Sequence, residues 1–377
     1  MEHEVIVFCE GDSSTTAPWS TVPYYLTKTL EKKNFKVNRV DIYCSSIIAR
    51  IFAKTVRIIF KNTYSYDRTS YYRHLVKRKM RKAISKYPNS ELLISTNFSF
   101  SGSAITKKIP SLLFGDWTYE YLITKLEGRE PEFFEKGEIK RQLKNIEESN
   151  FVITLFPKIC KYMQKRYKNK NIYYFGNVIN SEFESIDESV IEKKIHSDEL
   201  LFIGKPNYMA ALKTLIASID NYNKRFKTNI LLNVIGIDKF ETEKFSCNIK
   251  FFGYLDKNNS TENKIYCELL KKSKVCINTS EIWGGFSSFI EAMYYYTPII
   301  TGKYDEMIET FGDAIQFGYY CEKNDPNLLE SYIERILELP DEVYKNMCLN
   351  AHINVKEFTW DAFSENLIKL VYEQNTK

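Results

Sequence analysis

The sequence has little of what most catalytic sites are built from. Only four histidines occur in 377 residues, at positions 3, 74, 196 and 352. They show no metal-ligand spacing, and three of them lie in polar or terminal contexts expected to be solvated surface. The eight cysteines stand singly, with no C-x-x-C pair and no Cys/His cluster. That excludes a zinc site of the usual spacing and reads as a reducing cytoplasm without disulfides. Cys9 and Cys276 fall inside apolar runs, where cysteine serves as a small hydrophobe. No G-x-G-x-x-G follows a strand, and there is no Walker loop. No G-x-S-x-G elbow occurs, so hydrolase chemistry has no visible nucleophile. No D-x-D occurs either; the nearest carboxylate pair is Glu10-x-Asp12. No run approaches the ~18 apolar residues that a membrane span needs. The start, Met1-Glu2-His3-Glu4, lacks the basic opening and apolar run of a signal peptide.

What is present is an ordinary globular composition, 44% hydrophobic and 27% charged. A chain of this length suits two domains rather than one core. The net charge of +5 is unevenly spread. Between Arg50 and Lys86 stand twelve Lys/Arg against one acid, Asp67, a window of +11 that leaves the remaining chain at −6. Such a block points to a local anionic partner rather than to general nucleic-acid coating.

Short apolar runs alternate with helix-length amphipathic stretches, which argues for parallel sheets. The first half offers Val5–Cys9, Val37–Tyr43, Leu92–Thr96, Leu112–Gly115, Phe151–Phe156 and Ile172–Phe175. The second offers Leu200–Gly204, Ile230–Gly236, Ile249–Gly253, Val275–Thr279, Pro298–Thr301 and Ala314–Phe317. Helices are expected over Thr21–Lys33, Gly137–Glu148, Ala210–Tyr222, Ser287–Tyr295 and Leu328–Leu339. The acid-rich stretch Asn177–Asp198 breaks the rhythm and is read as a domain boundary. The expected fold class is α/β, two doubly wound halves whose strand ends face a central cleft.

The informative segment runs from Val275 to Thr301: a strand, a glycine turn, a helix and another strand. Gly284 and Gly285 let backbone approach a ligand closely. The helix opening near Phe286 offers free N–H groups suited to phosphate, with Ser287 and Ser288 adding hydroxyl donors. Glu291, one turn further in, has the chemistry to accept hydrogen bonds from two ribose hydroxyls. The alternative is an ordinary strand–turn–helix unit with Glu291 solvated. Asp116, at the end of the apolar run Ser111–Gly115, either faces a ligand or caps the helix after it.

Ser280-Glu281, Gly284-Gly285-Phe286, Glu291-Ala292-Met293 and Thr297-Pro298-Ile299-Ile300 together resemble the donor-site pattern of the family 4 glycosyltransferases. Leu201–Gly204, Val234–Gly236, Phe251–Tyr254 and Phe358–Trp360 with the helix after it resemble further landmarks in the family's order. The resemblance implies the GT-B fold, two Rossmann-like domains with a C-terminal helix crossing back to the first. It implies an acceptor-binding domain over 1–180 with a closing helix over 357–377, and a nucleotide-sugar donor domain over 196–356. By the same resemblance Glu291 would hold the donor ribose. The turn Gly284–Ser288 would contact the diphosphate, and Gly253 would lie beside the base. Lys205, with Lys213 or Lys303, would neutralise the leaving group. The family's first glutamate falls at Trp283 here, and Glu281 is the nearest acid. Asp116 would orient the acceptor or the sugar. Glu309 falls where the family has a further acid. Family members include retaining enzymes that need no metal, so no cofactor is expected beyond the nucleotide sugar itself.

Arg50, Lys54, Arg57 and Lys61 recur at helical spacing opposite Ile47, Ile48, Ile51, Phe52, Ile58 and Ile59. Arg73, Lys77, Arg78, Arg81 and Lys82 form a second stripe. Each cation near an anionic leaflet contributes roughly 1 kcal/mol, so this block is expected to hold the protein at a membrane surface, the alternative being a solvated face. The expected partners are a nucleotide sugar, a glycan or lipid-linked acceptor and an anionic membrane, with nucleic acid disfavoured. The expected function is sugar transfer in cell-surface polysaccharide or glycoconjugate synthesis. The expected place is the cytoplasm, peripheral at the inner face of a membrane. Two rivals are a GT-B nucleotide-sugar epimerase and a non-catalytic GT-B scaffold.

Overall fold

The structure, a computed structural model, describes residues 3–44, 51, 55, 66–180, 186–240, 245, 247–280 and 286–373. The chain divides into two compact units, Met1–Asn177 with Trp360–Lys377, and Val178–Thr359. Among the described residues, each unit carries one six-stranded sheet with all pairs parallel.

The first sheet contains β1 (Glu4–Cys9), β2 (Lys36–Asp41), β3 (Leu92–Ser95), β4 (Ser111–Gly115), β5 (Phe151–Thr154) and β6 (Ile172–Tyr174). Their spatial order is β2-β1-β3-β4-β5-β6, so the winding reverses between β1 and β3. Val5 stands level with Val37 on one side and Leu92 on the other. Val5 to Phe8 are all buried, as a strand covered on both faces requires. The helix Ser70–Lys86 opens on Thr69, whose hydroxyl accepts from Tyr72 N–H. It lays Tyr72, Val76, Met80 and Ala83 against the core at helical spacing. The helix Trp360–Ile368 also belongs to this unit. Its Trp360 and Phe363 rings pack on Phe114 of β4, and Lys33 Nζ reaches Glu365 at 2.6 Å.

The second sheet contains β7 (Glu199–Ile203), β8 (Leu231–Ile235), β9 (Asn248–Phe251), β10 (Val275–Asn278), β11 (Ile299–Gly302) and β12 (Gly318–Cys321). The order β12-β11-β10-β7-β8-β9 reverses between β7 and β10. The long helices Met209–Phe226, Ser260–Lys272, Phe286–Tyr294, Pro326–Leu337 and Asp341–Val355 cover it.

Two expected elements need correction. The twelfth strand is Gly318–Cys321 rather than Ala314–Phe317. The aromatic pair Tyr319-Tyr320 suits a strand, and Gly318 lets it begin where a Cβ would stand 1.8 Å from the Ile299 carbonyl oxygen. The helix expected from Gly137 starts at Phe133, because Glu132 and Glu135 form a reciprocal capping box there.

Candidate functional site

In a doubly wound sheet, ligands bind beyond the carboxyl ends of the strands where the winding reverses. In the second unit that place lies after β7 and β10. Backbone dominates this edge. Gly236 N–H donates to the Gly253 carbonyl at 2.6 Å, and Gly204 N–H donates to the Ile235 carbonyl at 3.0 Å. Gly236 has φ +89°, and a Cβ there would stand 2.4 Å from the Gly204 carbonyl oxygen, so only glycine fits. Gly253, also left-handed at φ +61°, closes the same row after β9. Packing holds the row close: a Cβ at Gly204 would meet the Phe202 ring at 2.8 Å, and one at Gly253 the Asp238 carboxylate at 3.0 Å.

Lys205 follows β7 and Gly204, and Lys213 lies on the helix Met209–Phe226. Both are exposed, and among the described residues neither makes an ion pair. Lys303 instead lies 3.9 Å from Asp313. After β10, Phe286 opens the helix Phe286–Tyr294 with its ring buried, and Ser287 is exposed in the first turn. Ser288 is half-buried beside it. Glu281, Trp283, Gly284 and Gly285 lie outside the described residues.

Glu291 is not solvated; it is 3% exposed and paired. Lys257 Nζ donates to both carboxylate oxygens, at 2.7 and 2.6 Å, and the Tyr266 hydroxyl donates to one of them. Lys257 also donates to the Asn180 carbonyl at 3.3 Å and lies 4.5 Å from the centre of the Tyr266 ring. Burial first, then the Glu291 charge, hold the Tyr266 hydroxyl well above its usual pKa, so it remains a donor. Neither Lys257 nor Tyr266 stands out in the sequence. They come from the β9 connection and the following helix, 34 and 25 positions before Glu291. Only the packing of the helix Ser260–Lys272 beside Phe286–Tyr294 brings them in.

In the first unit, Asp116 follows β4. It is not the cap of the next helical turn; Thr118 is, accepting from Tyr121 N–H. Asp116 instead accepts from the Trp19 indole N–H at 2.8 Å. Trp19, Ser20 and Thr21 have φ of 36°, 51° and 74°, three successive left-handed non-glycine residues that hold the indole in place. Burial pushes the Asp116 carboxyl up to about 6, with the Trp19 bond opposing. The sign follows. With the folded value above the unfolded 3.8, stability falls as pH rises from about 4 to 6, and the full cost persists above that. Asp116→Asn keeps an acceptor for Trp19. It is expected to stabilise the protein by roughly 2 kcal/mol at pH 7 and by nothing near pH 4. Denaturant titrations at the two pH values check this; an equal effect at both would show the carboxylate carries no such cost.

Of the cationic block, Arg50, Lys54, Arg57 and Lys61 lie outside the described residues. Arg73 turns inward, donating to the Arg68 carbonyl at 2.6 Å and lying 3.7 Å from Glu138. Lys77 is half-buried, whereas Arg78, Arg81 and Lys82 are exposed on the outer face of Ser70–Lys86. Among the described residues no helix is long and apolar enough to cross a membrane, and no group of three His, Cys, Asp or Glu is placed to hold a metal ion.

Residues 185–353 match the family model described as glycosyl transferases group 1. Among curated proteins, none matches the chain in sequence. Solved structures are similar over its whole length. One is a glycosyltransferase from Rickettsia africae, 13% identical, with TM-score 0.65 over 99% of this chain and 98% of that one. Another is a sucrose-phosphate synthase from Thermosynechococcus elongatus, 13% identical, with TM-score 0.62 over 99% of both. A third is Anabaena HepE in complex with UDP and glucose, 10% identical, with TM-score 0.62 over 98% of this chain and 100% of that one. The fold is thus GT-B, with two Rossmann-like domains, and the chain resembles the family 4 glycosyltransferases, its second unit carrying the match to group 1.

Proposed function

We propose that the protein moves a hexosyl group from a nucleotide-diphosphate sugar to a glycan or lipid-linked acceptor, in retaining, metal-independent fashion, for cell-surface polysaccharide or glycoconjugate synthesis. The observation that carries the reading is Glu291, a buried carboxylate beside the strand-order reversal whose two oxygens are both held as acceptors by Lys257. A carboxylate has about four lone-pair sites; Lys257 takes two and Tyr266 a third, so one remains for a ribose hydroxyl. Solved relatives in fold include HepE bound to UDP-glucose, and UDP is the nucleotide we assign as the first to test. Lys205 and Lys213 are the cations assigned to the diphosphate. They stabilise the charge that develops as the bond from the anomeric carbon to the phosphate oxygen breaks. The nucleoside diphosphate leaves with that electron pair while the acceptor oxygen bonds the sugar and passes its proton to the departing phosphate oxygen. Asp116, ionised above about pH 6, is assigned to accept the hydrogen bond of the acceptor hydroxyl.

Saturating UDP, at ~100 times its dissociation constant, is expected to add about 2.7 kcal/mol to stability, read as a rise in Tm. Donor turnover that needs an added acceptor supports transfer. Turnover without one favours an epimerase, and the absence of any nucleotide-induced shift favours a non-catalytic scaffold.

The membrane association that would place such an enzyme near a lipid-linked acceptor rests on Arg78, Arg81 and Lys82, exposed together on one helix face. At roughly 1 kcal/mol per cation, reversing all three to Glu is expected to weaken partitioning onto vesicles containing phosphatidylserine at least tenfold. Unchanged co-sedimentation would remove this face from the membrane contact.

A further inference from the structure

The first unit holds a cavity of its own, of about 160 Å³, at the carboxyl ends of β1, β3 and β4. It therefore sits where the winding of that sheet reverses. Its volume is close to the ~150 Å³ that accommodates one six-membered ring. The lining is predominantly polar and includes three carboxylates, Glu10, Asp67 and Glu138.

The carboxylates are not equivalent. Glu138 is neutralised from outside the cavity, by Arg141 at 2.6 Å and Arg73 at 3.7 Å. Glu10 has only neutral partners: the Tyr72 hydroxyl donates to one oxygen at 3.0 Å and the Asn97 amide to the other at 3.2 Å. Among the described residues Glu10 makes no ion pair. Arg68, which also lines the cavity, stacks on Tyr119. Its guanidinium lies 3.9 Å from the centre of that ring and bonds the ring hydroxyl. Burial, Asp67 and Glu138 all make the Glu10 charge costly. A half-buried carboxylate that makes no ion pair among the described residues is relieved by a ligand that brings O–H or N–H⁺ donors. A pyranose brings such donors on its rim.

We propose that this cavity is a monosaccharide pocket that takes a neutral or amino-bearing pyranose and rejects a carboxylate-bearing one. Glu10 and Asp67 select the charge. The role of that sugar as acceptor rests on the glycosyl-transfer reading; its binding does not.

The test is ligand-observed NMR on the full chain with methyl glycosides of the gluco, galacto and manno series, each as the neutral, 2-amino and uronate form, with UDP binding followed in parallel. In at least one series the amino glycoside is expected to bind at least tenfold more tightly than the uronate, with the neutral sugar between. Glu10→Gln is expected to reduce the amino-to-neutral ratio several-fold while leaving UDP affinity unchanged. Asp67→Asn, at an exposed position, is expected to shift the ratio in the same direction if Glu10→Gln does not fold. Uronate binding equal to or tighter than amino-sugar binding overturns the proposal. So does the absence of glycoside binding in a protein that binds UDP. Methylammonium binding as well as the amino glycoside would show a simple cation site and overturn the sugar assignment. Failure of UDP to bind while glycosides do would remove the donor reading and leave the pocket standing.

Discussion

Glu291→Gln will weaken UDP binding by about thirtyfold to a hundredfold. The carboxylate is fixed by Lys257 and Tyr266, so its free lone pair points in a set direction and little entropy is lost on binding. A hydrogen bond to a charged group contributes roughly 1.5–3 kcal/mol, and each 1.4 kcal/mol is about tenfold in affinity. An amide of the same shape loses the charge, which places the loss within the range of one such bond. Calorimetric titration with UDP reads the effect directly. The control is 2′,3′-dideoxy-UDP, which lacks the hydroxyls in question. Wild type should discriminate against it, and Glu291→Gln should bind both nucleotides alike. If the variant keeps wild-type UDP affinity, the ribose lies elsewhere. Lys257→Met is expected to reproduce part of the loss through Glu291, since the carboxylate is then held by Tyr266 alone.

Lys194→Ala will unfold the second unit about 10 °C below wild type. Lys194 is 0% exposed, yet its ammonium finds acceptors in three directions. These are the Leu270 carbonyl at 2.6 Å, the Ser273 carbonyl at 3.3 Å and the Thr297 hydroxyl at 2.7 Å. The two carbonyls lie at the carboxyl end of the helix Ser260–Lys272, where the helix dipole favours a cation. The lysine thus ties the helix Val190–Ile195 to that end and to the turn before β11. Truncation leaves buried carbonyl groups short of a donor and opens a cavity, for about 4 kcal/mol in all. For a unit of this size, 1 kcal/mol moves Tm by about 2–4 °C. A loss under 1 kcal/mol would show that these bonds only offset the desolvation of the charge.

The same residue has a pH signature. Burial pulls its ammonium down to about 7, against 10.5 when exposed. Between those values the unfolded chain binds more protons than the folded one, so this group makes the protein more stable as pH rises. The stability of wild type relative to Lys194→Met should therefore increase from pH 7 to 9, with a slope of at most about 1.4 kcal/mol per pH unit. A flat difference would mean that the three acceptors keep the folded ammonium at its ordinary strength.

Lys194 also marks what a linear reading misses. It stands in a polar, acid-rich stretch that resembles a solvated linker, and nothing in its neighbours distinguishes it from Lys193. Burial was decided by Leu270, Ser273 and Thr297, residues 76 to 103 positions away. Asp116 shows the same limit. Its place at the end of an apolar run was legible, but its Trp19 partner is presented by an irregular loop whose left-handed backbone no propensity foretells.

The sequence by itself determined the two parallel sheets, because a strand covered on both faces must be an unbroken apolar run such as Val5-Ile-Val-Phe8 or Leu200-Leu-Phe202. It also determined the strand–turn–helix unit that carries Glu291, since glycine and the change from strand to helical periodicity are local signals. Only the tertiary structure decided which charges are neutralised: Glu291 by Lys257, Glu138 by Arg141, and Glu10 by no described cation. The physical reason is one of range. Backbone periodicity is imposed within a few residues, whereas an ion pair needs two side chains within 4 Å. Which ones meet depends on how the connecting helices pack back onto the sheet.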